Sequence, residues 1–278
     1  MAQNANARGG SRLPRGAWIL LAWTISVAPC AGAESSLWVS PAILDLVMRP
    51  GQTAVQEFQL GNDTSARVKI RAYAWDWWIT EKNDKVFGPP GSSPLRSMAG
   101  WVSFDPAEVT VEPNSVGSIK LFLSVPKDAS AGYYSVAFFE SASPELPPPT
   151  AGQPRISIVS RLGVLTMVAI DGTEHYQVEV ERSEVTPPAE ASELKYSLAL
   201  KNRSNVHLMV QGVLAIFTPD HRLVGKTRIQ PQRFLPGQSD VIKIPYAGAL
   251  SPGQYTAVAT LIYGRDQSLV EEKSFTVQ

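Results

Sequence analysis

Gly132-Tyr-Tyr-Ser-Val-Ala-Phe-Phe-Glu140 and Arg155-Ile-Ser-Ile-Val-Ser-Arg-Leu-Gly-Val-Leu-Thr-Met-Val-Ala-Ile170 decide the reading of this chain. Both runs are rich in β-branched and aromatic residues, which suit a pleated, half-buried surface. The polar loop between them carries Pro147, Pro148 and Pro149, so the pair predicts a hairpin whose second arm covers residues 156–170. Alternation divides that arm into two faces. Ile156, Ile158, Ser160, Leu162 and Val164 share one; Ser157, Val159, Arg161, Gly163, Leu165 and Met167 share the other. From Leu165 onward both faces are apolar, as in a strand covered on each side. Over residues 156–162 alternation leaves two readings open: an arm buried on both faces, or an arm with one face offered outward.

Working outward, short β-rich runs recur throughout, separated by Gly, Pro, Asn and Asp. Strands are predicted at residues 36–39, 43–47, 55–60, 68–79, 102–104, 109–111, 118–125 and 133–140, before the long arm. After Asp171-Gly172-Thr173 the pattern restarts at 176–184, 194–201, 206–218, 223–229, 241–246, 255–263 and 269–277. About seven strands per half, with turn signals every 8–12 residues and no helical period, predict an all-β chain of two tandem immunoglobulin-like antiparallel β-sandwiches. The expected domains are residues 34–171 and 172–278.

The halves echo each other. Asn62-Asp-Thr-Ser matches Asn202-Arg-Ser-Asn, Glu112-Pro113 matches Leu235-Pro236, and Gly132-Tyr-Tyr134 matches Gly253-Gln-Tyr255. From Asn to Pro the first half is 17 residues longer, which fits an insertion rich in Gly, Pro and Ser between residues 80 and 98. The two Asn-x-Ser/Thr sites fall where a strand-to-strand turn favours Asn, and the turn is the preferred reading over glycosylation. Tyr134 and Tyr255 are each read either as a tyrosine corner or as a sheet-facing aromatic.

Residues 1–33 read as a cleavable signal peptide: Arg8, Arg12 and Arg15 precede an apolar run, and Ala31-Gly-Ala33 is a small-residue cleavage site. Pro29 disfavours lipid attachment at Cys30. Cleavage leaves no cysteine, so the exported chain, periplasmic or secreted, holds together by core burial without disulfides. No later run is long enough to span a bilayer, which excludes an integral membrane protein after cleavage. Removing three arginines from 25 basic residues leaves 22 against 25 acidic, about −3, which gives no electrostatic footprint for nucleic acid. The three histidines are not at metal-ligand spacing, and no nucleophile elbow or phosphate-cradling loop occurs. Neither an enzyme, a metal nor a cofactor is expected. Asp76, Asp84 and Asp105 are read as solvated turn residues. Trp75 and Trp77 fall on one face of the third strand and Trp78 on the other.

In order of elements, the chain resembles the periplasmic pilus-assembly chaperones, PapD-like proteins of two immunoglobulin-like domains. The residues that carry the likeness are Leu60-Gly-Asn62, the strand up to Trp78, Val125-Pro126-Lys, the Gly-Tyr-Tyr strand and the Pro-rich loop leading into the apolar arm. The resemblance implies an L-shaped molecule that binds pilin-like or other surface subunits, with an outer-membrane usher as a further partner. It also implies donation of an apolar edge strand, here through Ile156, Ile158, Leu162 and Val164. Four such side chains represent about 6–12 kcal/mol gross. The family anchors its client's terminal carboxylate with a first-strand Arg and a last-strand Lys. No basic residue lies between Glu34 and Met48, and Arg161 is left as the candidate anchor.

A rival reading makes the chain a structural or adhesive cell-envelope protein whose tandem domains bind a surface ligand through Trp75, Trp77, Trp78 and the 80–98 loop. It predicts a covered arm and exposed apolar area near Trp78.

Overall fold

The computed structural model describes residues 37–142, 159–189 and 193–278. The signal segment, Ile156 and Ile158 lie outside them. Ten strands form the first half: β1 Leu37–Ser40, β2 Ile43–Met48, β3 Thr53–Asn62, β4 Val68–Ile79, β5 Lys85–Gly88, β6 Val102–Asp105, β7 Glu108–Val111, β8 Ser115–Ser124, β9 Gly132–Ser141 and β10 Arg161–Ile170. Seven follow: β11 Val178–Thr186, β12 Leu194–Asn202, β13 Leu208–Phe217, β14 Leu223–Phe234, β15 Ser239–Tyr246, β16 Gly253–Tyr263 and β17 Gln267–Val277.

The first half stacks the sheet β1-β3-β8-β6 against β2-β10-β9-β4-β5, with β7 also on β4. The second stacks β11-β12-β15 against β14-β13-β16-β17. Strand pairing is antiparallel except between β2 and β10, which run parallel. The chain is therefore all-β, as the alternation predicts. β12 shows the physical reason: Leu194, Tyr196, Leu198 and Leu200 are buried while the residues between them are more open, the period of a strand with one face on a core. In the first half Phe58, Leu60, Ile119 and Leu121 meet Phe139, Val164 and Val168 between the sheets, with the Phe58 and Phe139 rings 5.1 Å apart. Each such side chain represents ~1.5–3 kcal/mol of transfer free energy.

The repeated Asn does the same work in both halves. Asn62 Nδ2 donates to the carbonyls of Ala66 and Val111, and its Oδ1 accepts from Thr64 N–H. Asn202 Nδ2 donates to Val206 and Phe234, and its Oδ1 accepts from Ser204 N–H. Both side chains are buried and tie the end of one strand to a distant carbonyl, so each sequon nitrogen is already engaged. The tyrosines diverge. Tyr255 donates to Ser251 O at 2.8 Å, a tyrosine corner. Tyr134 instead lays its ring over Gly132, where a Cβ would lie 2.5 Å from its hydroxyl oxygen and 3.2 Å from Val206 Cα. It belongs to the contact between the halves.

Asp76 corrects the sequence reading. It is fully buried and accepts from the backbone N–H groups of Gly91 (2.6 Å), Ser92 (3.0 Å) and Ser93 (3.3 Å) and from the Ser97 hydroxyl. The insertion is thus wrapped around a carboxylate on β4. Ser97 continues it into a bridge with Tyr134 and a 3-10 turn, Ala99–Trp101.

Candidate functional site

β10 does not keep the same neighbours along its length. Leu165–Ile170 is paired on both sides, with β9 and with Ile43–Met48 of β2. Arg161–Val164 has β9 alone. β1 passes nearby but pairs with β3 in the other sheet, so among the described residues no strand occupies the second margin of Arg161–Val164.

The phase of the ladder identifies which groups turn toward this margin. Ser141 N–H donates to Ser160 O at one end, and Ile170 N–H donates to Ala131 O at the other. In an antiparallel ladder alternate residues bond across the pair, so Leu162 and Val164 face β9 and the N–H and C=O of Arg161 and Gly163 point the other way. Further along, Asp171 N–H reaches Met48 O, the same odd-numbered set bonding to the β2 side.

Of the side chains expected to form the donating face, the two described ones, Leu162 and Val164, point inward. Val164 is 0% exposed and belongs to the first core, and Leu162 packs partly against it. The alternation is as read, but over Leu162–Val164 that face seals the chain's own sandwich, because β10 closes the sheet over Phe58 and Leu121. Among the described residues, what stands open at this end is backbone. On the outer face lie Arg161, Gly163, Leu165 and Met167, with Val159 exposed just ahead of the strand.

Arg161 already has a carboxylate. Its Nε lies 2.5 Å from Glu140 Oε2, which also accepts from the Tyr73 hydroxyl at 2.8 Å, while Arg71 approaches Glu140 at 3.8 Å. The Tyr73 bond, followed by Arg161, holds Glu140 below the usual carboxylate range. Burial, and then Glu140, pushes the Tyr73 phenol up to about 12. The guanidinium also covers Phe138 (5.3 Å) and Trp75 (5.4 Å), a cation held on an aromatic face. Arg161 is thus a surface brace, with its charge already matched.

The tryptophans separate. Trp75 is partly buried against Tyr73 and Phe138. Trp77 is buried, edge-on to Tyr134 and packed with Leu235 of the second half. Trp78 lies half-buried beside Gly88 on the other face. The exposed ring beside this cluster is Phe87, 41% accessible and 5.4 Å from Phe138. Its only trace in the sequence is the short β-like run Lys85-Val-Phe-Gly88 inside the insertion.

A polar cluster at the contact between the halves escaped sequence reasoning altogether. Asp45, on β2, accepts from Arg233 at 3.0 Å and lies 2.8 Å from His207 Nε2. Burial pushes the Asp45 carboxyl up, but the hydrogen bonds and charges of His207 and Arg233 outweigh it and leave the group below its ordinary value. A carboxyl depressed in the fold contributes stability that is fully present above its unfolded value, about 3.9, and is lost as pH falls through the folded value. Asp45→Asn is therefore expected to lower the urea midpoint at pH 7, with the gap to the parent narrowing as pH falls below about 4. A gap that stays constant down to pH 3 would contradict this coupling.

No protein-family model matches the sequence, and no curated protein matches it. Solved structures similar to the chain include the class 5 fimbriae chaperone CfaA, at 13% identity over 86% of this chain and 99% of that one, TM-score 0.45. The Escherichia coli chaperone DraB follows at 12% identity, 88% and 98% coverage and TM-score 0.39. The Pseudomonas aeruginosa CupB2 chaperone gives 11% identity, 85% and 99% coverage and TM-score 0.35. At these identities and TM-scores the likenesses carry no weight for function.

Proposed function

We propose that this protein is a chaperone-like binder of pilin-like or other surface subunits, and that it takes up an extended strand of its client along the free margin of β10. One observation carries this reading. The backbone groups of Arg161 and Gly163 point away from β9 at a place where β2 has not yet begun. An unpaired strand margin is a template for another chain, and soluble proteins ordinarily cover or blunt it. The added strand would extend the line of β2, meeting β10 just before Leu165. The hydrogen bonds of such an addition are independent of sequence, so a family of related clients is served by one site.

The mechanism differs from the one first expected. Val164 and Leu162 keep the first sandwich closed and are not offered; backbone pairing supplies the docking, and outer-face side chains supply discrimination. Nothing in this account requires bond making or breaking. Co-expression with a pilin-like subunit from the same genome, followed by affinity capture, is expected to yield a soluble 1:1 complex. Recovery of the chain alone, with the subunit insoluble as it is without the chain, would overturn the proposal.

A further inference from the structure

Gly163 lies at the middle of the free margin, and its missing side chain has a consequence for the client. It stands directly opposite Phe138 in the β9–β10 ladder, and the Phe138 ring folds across it. A Cβ built on Gly163 would sit 2.9 Å from Phe138 Cε1 and 3.2 Å from Val136 Cγ2. The residue itself is nevertheless exposed. Its outer-face neighbours along β10 are Arg161, drawn over Phe138 and Trp75, and Leu165, packed on the outer aromatic cluster. The Phe138 ring therefore takes the place a side chain at 163 would fill, lying across β10 between Arg161 and Leu165.

We infer that Gly163 is a specificity-determining position: it lets the Phe138 ring lie across β10, and the client strand places a large aromatic side chain beside it, against the edge of Phe138. A strand added to β10 sets one residue laterally next to Gly163 on the same face. Any side chain at position 163 would push the Phe138 ring out of that place and away from the neighbour. With glycine there, the neighbour's ring meets Phe138, which is itself backed on its far side by Tyr73, Trp75 and Phe87 with centroids 5.4–5.8 Å from its own in edge-on or tilted contacts. Aromatic pairs of this kind are favourable beyond the area they bury. Arg161 adds a cation close to the incoming ring.

This inference rests on strand addition at β10, and the experiment separates the two. Nine-residue peptides of alternating Val and Thr, with Ala, Leu, Phe or Trp scanned along one face, are titrated into the 15N-labelled protein. The Arg161 and Gly163 amides and the Phe138 ring are followed. The expected result is that all peptides shift the two amides, and that Phe or Trp at one register position binds about 3- to 10-fold tighter than Ala. In Phe138→Leu, which keeps the glycine and an apolar side chain, that advantage falls to about onefold while Val/Thr binding persists. Gly163→Ala is the second variant and is expected to lose the aromatic preference likewise. Peptides that bind with no register preference would overturn the inference and leave strand addition standing. If no peptide shifts either amide, both fall together.

Discussion

Asp76→Ala is expected to lower stability by about 2–4 kcal/mol, the sum of several hydrogen bonds lost from one buried acceptor. The carboxylate is fully buried and gathers three backbone N–H groups and one hydroxyl from residues 91–97. Truncation removes the acceptor of the part-buried Gly91 and Ser93 N–H groups and of the Ser97 hydroxyl, while Ser92 N–H still reaches Pro89 O at 3.1 Å, and each lost bond costs ~0.5–1.5 kcal/mol. The damage should be local as well as global. The insertion carries Ser97, which bridges to Tyr134, and Leu95, which packs on the outer cluster. Urea midpoints measure the first effect, and the amide resonances of Gly91, Ser92 and Ser93 report the second. Asp76→Asn should fall between, because it keeps one acceptor oxygen but turns an NH2 group toward donors. A loss below about 1 kcal/mol for the alanine variant would mean that the loop is held by its own turns.

Arg161→Pro is expected to reduce client capture by at least about tenfold relative to Arg161→Ala, with the fold retained in both. The comparison with alanine isolates the backbone, since both variants lose the contacts to Glu140 and to the aromatic face. The N–H of residue 161 points away from β9, so proline removes no bond of the β9–β10 ladder. It removes the first donor of the free margin and puts a ring where the client's carbonyl would approach. Proline is tolerated on strand edges for the same geometric reason. Thermal midpoints of the two variants within a few degrees of each other, together with unequal capture, support backbone docking. Equal capture would show that the client touches the outer side chains alone.

Much of the architecture is legible from alternation and from the doubled Asn, Pro and Tyr positions. These signals are recognisable because part of what they do is local: Asn202 bonds to Val206 four residues on, as well as to the distant Phe234, and Tyr255 bonds to Ser251 four residues back. The residues that escape are those whose partners are remote. Asp45 meets His207 and Arg233 across more than 160 residues, and no spacing rule links them. Asp76 looks like turn chemistry because its donors arrive from an insertion whose course the sequence does not specify. The site was half legible. The sequence locates the strand and its two faces, and the apolar faces from Leu165 onward correctly announce a covered stretch. It cannot say which face seals the core, because inward and outward readings share one period of two. Nor can it say where β2 begins to flank β10, since that parallel pairing joins segments more than 100 residues apart.

Site-resolved hydrogen exchange of the free protein tests the free margin most directly. The account predicts slow exchange at Leu162 and Val164, which bond to β9, and at Met167 and Ala169, which face β2. It predicts fast exchange at Arg161 and Gly163, becoming slow when a client strand is added. If Arg161 and Gly163 in the protein alone are protected as strongly as Met167 and Ala169, the margin is already occupied and strand capture at this place is ruled out.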